Sequence, residues 1–410
     1  MRALFACLLL ALAALASPAL AQLPGVQLPT LPAAVPGVID ETRDTLRTTT
    51  RELTRVRRDL VRGLLRRHRA ELERDPQGAP IRRGEILAWA PSEAALAEAQ
   101  RAGFRVVRRD ELEGLDVALY VLAPPERLST RRGLEALRAL DPEGAYDFNH
   151  LYQQSGQSNA PGGRGPPAGD GVRVGLIDGG VDEGHPAFSG ARITARGFYG
   201  NARASPHGTA VASLLIGRGA GLSSAAPGAH LYAADVYCGS EIGGGADSVA
   251  QALAWMARER VGVVNISLVG PANRTIEAAV RAMNARGHLL VAAVGNDGPA
   301  APALYPASYP GVVGVTGVDG RRALIEAARG TQVDFAAQGA SLRAAAPGGR
   351  YSSVRGTSYA SPIVAGMLAR ELPSPSLEGA ARALERLRAR AADLGERGAD
   401  RTFGAGLISL

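Results

Sequence analysis

No lysine occurs in the 410-residue chain; all 46 basic residues are arginine. They are spread along the sequence among 39 acidic residues, and the formal net charge is +7. That interleaving argues for codon bias rather than for a nucleic-acid partner. Aromatic residues make up only 5% of the chain, so no stacking platform for single strands is offered. Cysteine is almost missing. Cys7 lies in an N-terminal apolar stretch, and a chain cut behind that stretch keeps Cys238 alone, with no internal disulfide. Stability must then come from core packing, which a chain of this length and 46% hydrophobic content can supply. No other stretch approaches the roughly 18 apolar residues of a membrane span.

What is present divides the chain into segments. Met1-Arg2, an apolar run from Ala3 to Ala16, and the small residues Ala19 and Ala21 predict a secretory signal peptide over 1–21. A membrane anchor is the competing reading, but the apolar run is short for one. Export, to the periplasm or the medium, is expected. Residues 22–39, with Pro24, Pro29, Pro32 and Pro36, read as an extended linker. Residues 40–75 read as an arginine-rich amphipathic helix, with an apolar stripe at Leu46, Leu53, Val56, Leu60 and Leu64. An anionic membrane surface or a partner helix would suit its Arg55, Arg58, Arg62, Arg66 and Arg69. A solvated helix packing one edge on the next domain accounts for the interleaved acids better.

Residues 82–152 alternate strand and helix in the order β-α-β-β-α-β, the ferredoxin-like split motif. A polar Gly/Pro-rich run over 153–170 reads as a flexible, cleavable linker. From 171 to 410, apolar strands at 172–177, 230–237, 261–267, 288–294 and 311–317 alternate with helices, which predicts an α/β fold with a parallel sheet covered on both faces.

Within this last segment, Gly356-Thr357-Ser358-Tyr359-Ala360-Ser361-Pro362 precedes an apolar helical run. Pro362 is expected in the first helical turn, where a missing N–H is tolerated. Ser358 is either an ordinary helix cap or a nucleophile at a helix N-terminus, where free N–H groups favour an oxyanion. Upstream stand Val174-Gly175-Leu176-Ile177-Asp178-Gly179-Gly180, His207-Gly208-Thr209-Ala210, and Val294-Gly295-Asn296-Asp297-Gly298. Asp, His and Ser in that chain order, each in its own glycine-flanked context, follow the subtilisin order of a catalytic triad.

The segment from about Gly169 to Leu410 therefore resembles the subtilisin-like serine peptidases, the subtilases. The resemblance implies Asp178, His207 and Ser358 as catalytic residues and Asn296 as the oxyanion donor. Asp182 and His185 are the decoys, and Asn296 has a turn residue as its plain alternative. It further implies that Ser267-Leu268-Val269-Gly270 pairs with substrate backbone, with Val269 narrowing the main pocket where the family usually has Gly, and that Gly239 to Gly245 forms the opposite rim. The family's usual calcium loop would fall near Gly217 to Ala226, which carries no carboxylate or amide side chains, so no metal and no cofactor are expected. By position, residues 82–152 would be a propeptide that chaperones and inhibits the enzyme. The expected partners are polypeptide substrates and this module. A silent peptide-binding pseudoprotease, or a ligase or esterase using the same site, are the alternatives.

Overall fold

The computed structural model describes residues 43–154, 156, 171–219 and 221–410. The expected signal peptide, the proline-rich segment and most of the 153–170 run lie outside them.

The arginine-rich helix α1 spans Arg43–Arg67 and ends before residue 75. The chain turns out of the helix at His68, whose carbonyl accepts the Glu71 N–H at 3.1 Å and the Leu72 N–H at 2.8 Å. Asp75 makes the next turn: its Oδ1 accepts N–H bonds from Gln77 at 2.9 Å and Ala79 at 2.7 Å, a side-chain-stabilised turn. The turn folds strand β1 (Leu72–Arg74) antiparallel onto β2 (Pro80–Trp89) and buries Leu72. The unit continues through α2 (Glu93–Arg101), β3 (Arg105–Leu112), β4 (Val117–Ala123), α3 (Thr130–Leu140) and β5 (Ala145–His150). Both helices start at serine caps, Ser92 and Ser129, whose side chains accept N–H bonds from the first turn. Strand β2 pairs with β5 and β4, and β3 closes the sheet beyond β4.

Side chains alternate across this sheet, as strand geometry requires. Ile86, Ala88 and Leu122 pack with Phe104, Leu134 and Leu137 beneath α2 and α3. Leu87, Leu119 and Val121 point the other way, where they join Leu112, Leu115 and a core cluster of the following domain.

After β6 (Gln153–Gln154), the larger domain runs β7 (Arg173–Asp178), β8 (Ile193–Gly197), α4 (Pro206–Ile216), β9 (His230–Asp235), α5 (Ala246–Arg258), β10 (Val263–Ile266), β11 (Leu268–Val269), α6 (Arg274–Ala285), β12 (Leu289–Ala293), β13 (Val312–Asp319), β14 (Arg322–Ala323), β15 (Phe335–Gln338), β16 (Leu342–Ala346), β17 (Arg350–Val354), α7 (Thr357–Glu371), α8 (Leu377–Arg390) and β18 (Leu407–Ile408). The main sheet is ordered β18-β15-β13-β12-β10-β7-β9-β8, with parallel pairing throughout and β14 folded back on β13. Its apolar strands are buried on both faces. Val291 and the side chains of α4, α7 and α8 share one core, while Leu290 and those of α5 and α6 share the other. The fold is the expected subtilisin-like α/β sheet with helices on both faces. Strands β8, β15 and β18 extend it beyond the five read from the sequence.

Strands β7, β9, β10 and β12 run in parallel, so their carboxyl ends meet on one edge. In open α/β sheets that edge is where a crevice forms.

Candidate active site

Strand β7 ends on Asp178, which is fully buried. Helix α4 starts beside it, capped by Ser205, whose Oγ accepts the Gly208 N–H at 2.9 Å. His207 is the second residue of that helix. A side chain at Gly208 would bring its Cβ within 2.0 Å of the Gly179 carbonyl oxygen, so only glycine lets α4 approach β7 this closely. The approach sets His207 Nδ1 2.8 Å from Asp178 Oδ2 and 2.9 Å from Oδ1. Asp178 Oδ1 also accepts the Gly179 N–H at 2.6 Å. One imidazole nitrogen is thereby tied to a buried carboxylate.

Ser358 is the second residue of α7, where backbone N–H groups have no partner within the helix. Its neighbour Tyr359 lies against the His207 ring, with centroids 5.3 Å apart. Gly356, just before the helix, has φ +137°, a conformation that side chains rarely adopt. Pro362 is the sixth residue of α7, not part of its first turn. With no N–H it cannot bond the Ser358 carbonyl four residues back. Ser267 Oγ donates to that carbonyl at 3.0 Å instead, and is itself held by Asn265 Nδ2 at 2.8 Å. The side chain of Ser267 thus fixes the turn that carries Ser358.

Asn296 follows β12. Its Oδ1 accepts the Thr357 N–H at 3.0 Å, which orients the amide toward the start of α7. The Nδ2 group is buried and has no hydrogen-bond partner among the described residues.

The two decoys have structural tasks. His185 Nδ1 accepts the Ala187 N–H, and its Nε2 lies 2.7 Å from the Arg350 carbonyl oxygen. Asp182 Oδ2 accepts the Gly348 N–H. A third carboxylate, Asp235, went unread in the sequence. It ends β9 directly beside Asp178 and accepts N–H bonds from Arg203, Tyr237 and Cys238. Burial raises its pKa above the usual carboxylate value against those bonds.

The crevice holds part of the chain itself. The run expected to be a loose linker starts as β6, antiparallel to β11, with Gln153 opposite Val269 and Gln154 opposite Leu268. Nothing local in Gln153-Gln154 specifies a strand; pairing with β11 makes it one. On its other side, the Tyr152 N–H donates to the Gly244 carbonyl at 2.8 Å, and Leu151 bridges Gly245. Tyr152 is buried and its hydroxyl donates to the Pro271 carbonyl at 2.9 Å. Gly270 does not pair with β6. Its N–H donates to Tyr305, and its missing side chain makes room for the Tyr152 ring. Gln154 Nε2 donates to Asp178 Oδ1 at 2.9 Å, and Gly156 lies against Gly356 and Tyr359.

Helix α1 touches both sides of this crevice. Arg57 pairs with Asp297 at 2.7 Å, next to Asn296, and Thr50 Oγ1 accepts the Ala300 N–H. At its other end Leu64 packs with Leu72 and Leu151, while Arg67 and the following His68 reach Glu241. Burial raises the Asp297 pKa, with Arg57 opposing.

Residues 169–406 match the sequence model of the Subtilase family. M-protease of Shouchella clausii is 36% identical over 208 residues, 49% of this chain and 54% of that protein. Subtilisin E of Bacillus subtilis is 32% identical over 254 residues, 59% of this chain and 65% of that protein. The chain thus spans between about half and two thirds of the length of these relatives. Among solved structures, fervidolysin from Fervidobacterium pennivorans, a keratinolytic enzyme related to subtilisin, aligns with a TM-score of 0.64 and 20% identity. That alignment covers 80% of this chain and 60% of that one, and it speaks for the fold.

Proposed function

The chain belongs to the subtilase family, and from that premise we propose that it is a serine endopeptidase made as an exported zymogen. Ser358 Oγ attacks the carbonyl carbon of a bound peptide as His207 removes its proton. Asp178 holds the imidazole with Nδ1–H toward the carboxylate, leaving Nε2 to act as base. The carbonyl π electrons move onto oxygen, and the Asn296 amide and the Ser358 N–H stabilise that charge. Collapse of the intermediate breaks the C–N bond, and the His207 proton leaves on the amine. Water, activated by the same imidazole, then releases the acyl group and restores Ser358.

The observation that carries this reading is the buried, unpartnered Nδ2 of Asn296. A buried amide donor without a partner costs on the order of 1–3 kcal/mol. A turn asparagine has no need of that arrangement, whereas a donor reserved for a transient oxyanion does. Asn296→Ala is expected to lower kcat by about 10² to 10³, with KM little changed. Ser358→Ala is expected to abolish amide hydrolysis and labelling by a serine-directed phosphonate. Turnover by the Ser358→Ala protein would overturn the assignment.

The zymogen reading rests on the strand at Leu151–Gln154. An extended chain paired on both sides, with one side chain on Asp178, occupies the place that a peptide substrate takes by β-augmentation. In this reading the module at 82–152 delivers its own tail into the crevice, and cleavage falls within residues 154 to 156. The Ser358→Ala protein should stay at full pro-length, whereas the active protein should show a new N-terminus there by intact-mass measurement.

A further inference from the structure

One face of α1 takes no part in the contacts with the crevice. Arg47, Arg51, Arg55, Arg58, Arg62 and Arg66 are all exposed, at successive spacings of four, four, three, four and four residues. At about 100° per residue these positions fall within an arc of roughly 100°, along about 28 Å of helix. The acids between Arg47 and Arg66 are Glu52 and Asp59, and Asp59 pairs with Arg62. Among the described residues no ion pair takes up Arg47, Arg51, Arg55, Arg58 or Arg66. At the C-terminal end of the helix the ladder opens into a recess of about 530 Å³, lined by Arg62, Leu65, Arg66, Arg69 and Arg74. Helix α8 is also arginine-rich, but there Arg382 pairs with Glu378 and Arg386 with Glu371. A row of six guanidiniums with Asp59 as its one paired acid remains self-repelling, and it gains most from a ligand that brings repeated negative charge.

We propose that the outer face of α1, together with the recess at its end, binds a linear polyanion bearing phosphate or sulfate groups. Guanidinium groups suit such oxyanions because they offer paired donors in a planar fork. A lipid surface fits less well. Membrane-bound helices set apolar residues toward the bilayer, whereas Val61 and Leu64 here are buried against the protein and Leu46, Leu53, Val56 and Leu60 are half-buried. No aromatic residue lies among the arginines between 47 and 66, so stacking on nucleobases is not provided for either.

The test uses the full chain carrying Ser358→Ala, titrated with fluorescently labelled linear polyphosphate and followed by anisotropy. Binding should weaken with salt, with a log–log slope of about 4 if six contacts form on a flexible strand. Replacing Arg51, Arg55, Arg58 and Arg62 by Gln should lower affinity at least about tenfold at low salt and flatten the slope. Replacing Arg382, Arg386, Arg388 and Arg390 on α8 by Gln should leave both nearly unchanged. Should the first variant melt at a lower temperature than its parent, Arg51→Gln with Arg55→Gln alone should give a smaller loss of the same kind. Absence of polyphosphate binding, or an equal loss from the α8 variant, would overturn the proposal. So would tighter binding to phosphatidylglycerol vesicles than to the polymer at equal charge, which would assign the face to a membrane.

Discussion

Strand β4 presents two apolar faces that do different work. Leu122 looks inward to α2 and α3, within one unit. Leu119, three residues earlier and equally buried, looks toward α5 and α6 of the larger domain. The inward face packs on the apolar side chains of α2 and α3. The outward face is ringed by polar ties. Arg108 bridges to Asp247, Arg258 to Glu113 and Arg286 to Asp116, while Asn273 Nδ2 donates to the Phe148 carbonyl at 2.9 Å. An apolar centre with a charged rim is the anatomy of a protein–protein interface, not of a domain interior. Continuous apolarity in Val117-Ala118-Leu119-Tyr120-Val121-Leu122 therefore encodes two adhesions, one permanent and one built like a docking surface.

Substitutions on that strand should separate the two. The largest effect is expected for Leu122→Ala, about 2–5 kcal/mol of stability lost from the module itself, seen as a lower melting temperature for residues 72–154 expressed alone. Leu119→Ala should cost that fragment little. It should instead raise the inhibition constant of the fragment against the mature enzyme by about 10- to 100-fold, the equivalent of roughly 1.4–2.8 kcal/mol. Equal melting shifts for both variants would erase the distinction between the faces.

On the rim, Arg108→Gln leaves the buried Asp247 carboxylate without its cation. Because Arg108 itself is half-exposed and screened, a loss of only about 1 kcal/mol is expected, shrinking further in high salt. A salt-independent loss would show that the arginine acts through packing.

The smallest effect concerns pH. Burial raises the Asp75 pKa, but its bond to His150 and the N–H bonds from Ala79 and Gln77 outweigh this, and the pKa is lowered overall. A lowered folded-state value means that the folded chain binds this proton less readily than the unfolded chain. The stabilisation is therefore complete above the ordinary carboxylate value of 3.8 and fades as pH falls through the folded value below it. Melting temperatures of the Ser358→Ala chain and its Asp75→Asn derivative should differ at neutral pH and converge in that acid range. A constant gap would remove Asp75 from the account.

The main sheet was largely legible because its strands are continuous apolar runs divided by helices. The candidate site was legible because a glycine adjoins each of Asp178, His207 and Asn296. What escaped was structure imposed from a distance. Phe335-Ala336-Ala337-Gln338 has weak strand propensity and becomes β15 only by lying between β13 and β18. Gln153 and Gln154 look like linker until β11 pairs with them. Ser267 reads as part of a backbone-pairing strand, yet its hydroxyl fills the place left by the absent N–H of Pro362, a compensation between residues nearly a hundred positions apart. The end of α1 escaped because residues 40–75 carry one charged, amphipathic pattern, whereas the chain turns at His68 and again at Asp75 into a hairpin.

The strand at Leu151–Gln154 carries one more consequence if the chain is cut just beyond it. While the connection is intact, the strand competes for its site at the millimolar effective concentration typical of a short tether. One broken peptide bond changes no contact, yet the blocker becomes a separate molecule whose local supply is the bulk concentration. Occupancy then depends on dilution. The same cut enzyme would remain silent in a crowded compartment and become active once it spreads into a large volume, without any further chemical step.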